Sequence, residues 1–133
     1  MTNVITVARY ILDKLGSSSI IKIHRLCFYC QALSLVSNNE PLFYEDFEAW
    51  ESGPICPELF DIIYSDDIEN YNFTDKQIEI IGIIINQYGN KPTDWLRDVL
   101  CLEDPWKNAY TKEYKAIITK DSMRKYYSKV GAI

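Results

Sequence analysis

The sequence has few of the residues from which catalytic and phosphate-binding motifs are built. Of its 133 residues one is histidine and five are glycine, and no glycines are spaced as GxGxxG or in the GxxxxGK arrangement. Both common types of phosphate-binding loop are therefore excluded. No segment approaches the roughly 18 consecutive apolar residues of a membrane span. No basic region precedes an apolar run at the amino terminus, so the sequence predicts no secretory signal.

Basic residues are also fewer than acidic residues. The chain carries 19 acidic and 14 basic residues, with a net charge of -5. An acidic protein lacks the general positive field that attracts proteins to nucleic acid or anionic membranes, so the composition disfavours both and favours a basic partner. Four cysteines without a secretory signal are expected to be reduced, buried thiols, which predicts a cytoplasmic protein.

What the sequence does contain is material for one hydrophobic core. Apolar residues make up 47% of the chain and aromatic residues 14%. There is no internal repeat, low-complexity tract or linker, so residues 1–133 are predicted to form a single domain. A core of this size needs neither disulfides nor metal for stability, and we expect no cofactor.

Helix boundaries are well marked along the chain. Thr2 is expected to cap a first helix that ends at Gly16, and the serines at 17–19 to cap a second that runs to about residue 37. Thr74 and Gln77 have capping-box spacing. Further helices are predicted after Pro57, Pro92, Asp104 and Thr119. The pattern predicts a mainly α fold, a compact bundle of about six helices with a small two-stranded β element.

Two segments outside these helices have the character of strands. Weak alternation over residues 42–56 predicts an extended segment that ends at a turn over residues 52–54. Residues 116–118 could form a brief strand that pairs with it near Ala49. The second helix, apolar nearly all round, is expected to lie in the middle of the fold.

The candidate chemical groups are more simply explained by structure. Cys27 and Cys30 match a bare CxxC, but both fall mid-helix and no second ligand pair exists, so buried core thiols are favoured over zinc or redox chemistry. His24, between Lys22 and Arg25, is predicted to be a surface or boundary residue. The carboxylates near residues 45–48 and 61–69 and the basic last helix are interpreted as solvated surface. No catalytic residue and no metal ligand is predicted.

Residues 22–35, KIHRLCFYCQALSL, resemble the KLQKLLYYAQGWSL signature of the Panacea domain, the SocA-like antitoxin family. The similarity continues in order through residues 41–43, 47–50 and 53–55, and through the EDPW segment at 103–106. It ends with Ile118-Thr119 and the short helix that closes at Tyr126-Tyr127. The resemblance therefore covers nearly the whole chain.

Membership of that family implies an antitoxin, encoded by a bacterium or phage, that neutralises a cognate toxin protein by direct binding and is not an enzyme. An adaptor that delivers the toxin to a cellular protease, or a DNA-binding protein that represses its own operon, are the alternatives. The sequence departs from the family where Thr-His usually precedes EDPW, since Leu100 and Cys101 stand there. Leu33 replaces a tryptophan and Ser52 a tyrosine.

The resemblance and the residue types together nominate partner-binding residues. Polar side chains on the most hydrophobic helix must reach solvent or find partners, because an unpaired buried charge is costly. Aromatic residues and arginine are also enriched at binding hot spots. The predicted partner-binding set is Lys22, Arg25, Tyr29, Gln31, Trp50, Gly53, Pro54 and Trp106.

If this set borders the partner surface, replacing Arg25 and Trp50 together by alanine should abolish protection from the toxin. The helical circular dichroism of the double variant should be unchanged. Unchanged protection by the folded variant would contradict the hypothesis.

Overall fold

The computed structural model describes residues 1–131, which form seven helices and one small sheet. The six α-helices are α1 (Val4–Leu15), α2 (Ile20–Ser37), α3 (Asp75–Tyr88), α4 (Thr93–Leu102), α5 (Asp104–Lys112) and α6 (Lys120–Val130). A 3-10 helix spans Pro57–Tyr64, and the strands are β1 (Phe47–Trp50), β2 (Gly53–Ile55) and β3 (Ile117–Ile118). The predicted mainly α fold is confirmed.

Most of the predicted helix boundaries are confirmed by their hydrogen bonds. The Ser19 side chain accepts from the Lys22 amide at the start of α2. The Thr119 side chain accepts from the Ser122 amide at the start of α6. Thr74 and Gln77 form the complete capping box of α3. One cap differs, because the Asn3 side chain, rather than that of Thr2, accepts from the Thr6 amide and begins α1. Each cap satisfies amides that the first helical turn leaves unpaired.

Helix α2 is the central element of the fold. Every residue from 23 to 35 is buried, and the helix packs against α1, α3, α4, α6, β2 and the 3-10 helix. This confirms the prediction, made from its apolar surface on all sides, that it lies in the middle. Helix α5 is the exception, because it packs on α4, α6 and the sheet instead.

The β element has three strands rather than the predicted two. β1 lies in the middle and pairs antiparallel with both β2 and β3. The expected extended segment folds back on itself at Glu51 and Ser52, where Gly53 has a φ of 118° that favours glycine. The predicted strand near residue 117 is confirmed, with Ile118 opposite Phe47.

A buried amide anchors the chain between α2 and the sheet. Gln31 is 1% exposed; its Oε1 accepts from the Leu42 amide at 2.7 Å and the Phe43 amide at 3.3 Å. Its Nε2 donates to the Phe43 carbonyl at 2.5 Å. One side chain therefore satisfies three backbone groups that no helix or strand partner reaches.

We expect Gln31→Leu, which keeps the volume but removes these partners, to lower the free energy of unfolding by about 2–4 kcal/mol. Urea denaturation followed by circular dichroism measures the loss. The matched control is Gln87→Leu, at an exposed position of α3, where the change should stay within about 0.5 kcal/mol. Equal midpoints for the two variants would contradict the anchoring role.

Candidate partner-binding surface

The structure separates the eight predicted partner-binding residues into two groups. Lys22, Trp50 and Trp106 are partly buried, with some surface open to solvent. The other five are buried: Arg25, Tyr29, Gln31, Gly53 and Pro54. Because these five residues are buried, a partner could contact them directly only if the chain rearranged.

The two cations of α2 are hydrogen-bonded within the protein. Lys22 Nζ donates to the Gly89 carbonyl at 2.6 Å, just past the end of α3. Arg25, only 3% exposed, donates from Nη1 to the Thr93 carbonyl and from Nη2 to the Ser52 carbonyl, each at 2.7 Å. The Gly89 and Ser52 carbonyls lie past the end of α3 and in a hairpin turn, where no helical amide reaches them, and Thr93 begins α4. The bonds therefore fix these three segments against α2.

Gly53 completes the turn that Arg25 holds. A side chain there would need the unusual positive φ, and its Cβ would lie 3.8 Å from Arg25 Nε. Glycine at this position is therefore explained by the backbone conformation of the hairpin.

Because Arg25 joins the hairpin turn to the start of α4, Arg25→Ala would remove both bonds, leave the Ser52 carbonyl without this donor, and is expected to disturb the fold. The double alanine variant proposed from the sequence therefore does not separate folding from binding. Trp50, at the surface, remains a suitable position for that test.

Tyr29 belongs to a buried tyrosine cluster centred on Glu103. The hydroxyls of Tyr29 and Tyr127 both donate to Glu103 Oε1, each at 2.9 Å. The Tyr29 ring stacks on Tyr88, with centroids 4.5 Å apart and planes inclined by 8°. Burial raises the pKa of Glu103, and the two tyrosine hydrogen bonds oppose that rise. This carboxylate thus joins α2 and α6 to the α4–α5 junction.

A carboxyl whose pKa is raised by folding stabilises the protein below its unfolded pKa, and that contribution is lost as the pH rises through its folded pKa. Glu103→Gln keeps an acceptor oxygen for both tyrosines but removes the buried charge. We expect this variant to gain stability relative to the parent protein as the pH rises from about 4 to about 7. Urea midpoints across that range measure the gain.

Glu103→Ala should be less stable than the parent by about 2–4 kcal/mol near pH 4, because two buried hydroxyls lose their acceptor. That deficit should shrink as the pH rises, because this variant also lacks the titrating carboxyl. The exposed Glu113→Gln is the control. A stability difference between parent and Glu103→Gln that does not vary with pH would contradict the role assigned to burial.

The prediction that His24 is a surface or boundary residue is wrong. His24 is 0% exposed, and its Nδ1 accepts from the Cys56 amide at 3.0 Å. Its ring packs against Phe60, with centroids 4.9 Å apart. Burial, together with the nearby Arg25 charge, lowers the pKa of His24 to about 4. Neutral imidazole is therefore the form that the fold favours at neutral pH.

Three of the four cysteines are buried thiols, as the sequence predicts, whereas Cys101 is only partly buried. Cys27, Cys30 and Cys56 are buried and free of disulfides, and burial raises the pKa of each thiol. Raised pKa values make these thiols poor nucleophiles. Over residues 1–131, no three histidine, cysteine or carboxylate side chains are grouped so that they could hold a metal ion.

The surface around Trp50 carries a connected row of aromatic side chains. The Trp50 ring lies 6.1 Å from Phe60 and 6.5 Å from Tyr114, centroid to centroid. Tyr110 is 6.2 Å from Tyr114 and stacks on Trp106 at 4.6 Å. We call these five residues the aromatic strip. Phe60 is 41% exposed and Tyr114 56%, whereas the other three are partly buried.

Polar contacts hold the strip in place. Trp50 Nε1 donates to Glu48 at 2.8 Å, and Trp106 Nε1 donates to the Trp50 carbonyl at 2.8 Å. Lys115 Nζ lies 4.3 Å from the centre of the Trp50 ring, within the range of a cation–π contact. Sequence reasoning found Trp50 and Trp106 but missed the other three. The spacing of aromatics at 106, 110 and 114 was the available signal.

The chain was compared with known families, curated proteins and solved structures. The model of a family described as "Antitoxin SocA-like, Panacea domain" matches residues 23–107, from early α2 into α5 and well over half of the chain. No curated protein matches, and no solved structure does. None of the helices within residues 1–131 has the length and apolar character needed to cross a membrane.

Proposed function

The chain belongs to the SocA-like Panacea antitoxin family, and on that premise we propose that it neutralises a cognate toxin by binding it through the aromatic strip. The toxin is expected to be encoded alongside it by a bacterium or phage. Binding, rather than catalysis or a cofactor, is the proposed mode of action, and the cytoplasm is the proposed compartment.

The observation that carries this proposal is the strip itself. Five aromatic rings are in mutual contact at the surface, and tryptophan and tyrosine are the residues most enriched at binding hot spots. Hydrogen bonds fix the Trp50 and Trp106 rings before a partner arrives, so these two side chains lose little conformational entropy on binding.

Charge beside the strip indicates the character of the toxin surface. Glu48 is bonded to Trp50, and Glu58 and Asp61 share the 3-10 helix with Phe60. Together with the net charge of -5, these carboxylates favour a partner that presents basic residues around an apolar patch.

The alternatives to simple masking of the toxin involve further steps or a different surface. Delivery of the toxin to a cellular protease would begin with the same binding step. Operon repression would need a basic surface, yet most of the basic side chains of α6 are in ion pairs. Lys120 pairs with Asp46 at 2.8 Å, and Arg124 and Lys125 both pair with Asp121. Protein binding is therefore the mode we favour.

The direct test is growth of a heterologous bacterium that carries the adjacent open reading frame, induced alone and then with this protein. Growth arrest by the neighbour and its rescue by co-expression are the expected results. Toxin that accumulates intact in a stable complex would indicate masking, whereas toxin that disappears only in a protease-positive host would indicate delivery. A toxic neighbour without rescue would overturn the proposal.

We expect Trp50→Ala with Tyr114→Ala to weaken toxin binding at least about 30-fold, the effect of losing one hot spot of about 2 kcal/mol. Calorimetry with purified toxin measures the change, and rescue should fail.

The matched control replaces one tryptophan and one tyrosine outside the strip, Trp95 and Tyr44, which are 40% and 66% exposed. Thermal unfolding of both double variants establishes that they are folded. Rescue by the strip variant as strong as by the control would refute the assignment of this surface.

A further inference from the structure

A second surface feature lies on the other side of α5. A groove of about 360 Å³ runs between α5, α6 and the edge strand β3. Pro105, Ala109, Ile117 and Tyr126 contribute its apolar walls. Residues 105, 109 and 112 follow helical spacing on one face of α5, whereas Trp106 and Tyr110 of the aromatic strip occupy another. The groove is therefore distinct from the surface assigned to the toxin.

The charge of the groove is opposite to that of the whole chain. Lys112, Lys125 and Lys129 line it, whereas Asp104 is the one carboxylate that residues 1–131 contribute, and its Oδ1 lies 3.6 Å from Lys107 Nζ. Lys125 pairs with Asp121, but Lys112 and Lys129 are in no ion pair with any residue in the range 1–131. A local excess of cations on a protein of net charge -5 favours an acidic occupant.

The strand at the groove presents an unpaired edge. β3 is the outer strand of the sheet, with Ile117 opposite Glu48 and Ile118 opposite Phe47. The Ala49 amide donates to the Ala116 carbonyl, whereas the Ala116 amide donates to the Glu113 carbonyl. Residues that turn their backbone groups towards a neighbouring strand alternate along an antiparallel ladder, and Ala116 turns its carbonyl to β1, so the amide and carbonyl of Ile117 point away from β1. Ile117, 47% exposed, lines the groove on one side and, opposite Glu48, an acidic depression on the other.

We propose that this groove binds an extended acidic peptide segment of a partner protein, which adds a strand to β3. The backbone of Ile117 supplies the first hydrogen bonds, the apolar walls receive alternate side chains of the peptide, and Lys112 and Lys129 pair with its carboxylates. In edge-strand addition, hydrogen bonds between the two backbones provide affinity, and pockets for alternate side chains provide specificity. An open strand edge and an apolar wall suit a polypeptide, whereas a nucleic acid would use only the lysines.

The test uses the full chain and a fluorescent peptide of alternating glutamate and valine, about ten residues long, the upper length of an ordinary strand. Fluorescence anisotropy should show saturable binding, and the peptide with lysine in place of glutamate should not bind. A glutamate–valine peptide that is N-methylated at every second residue should bind about tenfold more weakly, because it loses ladder hydrogen bonds.

On the protein side, Lys112→Glu with Lys129→Glu should weaken binding of the glutamate–valine peptide about tenfold, as expected for several exposed ion pairs. Lys14→Glu with Lys76→Glu changes the net charge equally at lysines outside the groove and should have little effect. Near-ultraviolet circular dichroism confirms that both variants are folded.

Three results would overturn the proposal. One is the absence of saturable binding up to millimolar peptide. Another is equal binding of the N-methylated peptide, which would leave the strand edge without a role. The last is a single-stranded oligonucleotide that binds and displaces the peptide, which would identify the groove as a nucleic-acid site. None of these measurements depends on the toxin, so their outcome is independent of the proposed antitoxin function.

Discussion

A helix that is buried on all sides must satisfy its own polar side chains, and the rest of this structure depends on how α2 does so. Three of its polar side chains bond to loop and helix-end backbone: Lys22 to the end of α3, Arg25 to the hairpin turn and the start of α4, and Gln31 to the segment before β1. These bonds fix the hairpin that carries Trp50 and the segments beside it against the core.

The sequence predicts a helix correctly where the residues that determine its ends are close together in the chain. Caps such as Ser19, Thr74 and Thr119 act within one helical turn, so their spacing alone locates the helices. The partners of buried polar groups are not local. His24 is hydrogen-bonded to the Cys56 amide and Tyr29 to Glu103, and the spacing of apolar residues along the chain does not predict such pairs. The third strand was missed for a similar reason: a turn was predicted at residues 52–54, but nothing local shows that residues 53–55 pair back onto β1.

The same distinction explains the candidate site. The segment that identifies the family lies on α2, where it maintains the fold, so residues nominated from it are mostly internal. The aromatic strip is assembled from β1, the 3-10 helix, α5 and Tyr114, which are separate in sequence. A family signature therefore locates the scaffold, whereas the surface that distinguishes one partner from another has to be found from exposure and contacts in three dimensions.

The long reach of the α2 side chains also bears on synthesis of the protein. Arg25 and Tyr29 find their partners 68 and 74 residues further along the chain. When α2 leaves the ribosome, its apolar surface and its cation therefore have nothing to pack against. Domains with such distant contacts complete folding late, and their incomplete chains expose apolar surface that aggregates. The nascent protein should need protection until α4 and α5 emerge, and a chain released before that point would be a substrate for degradation.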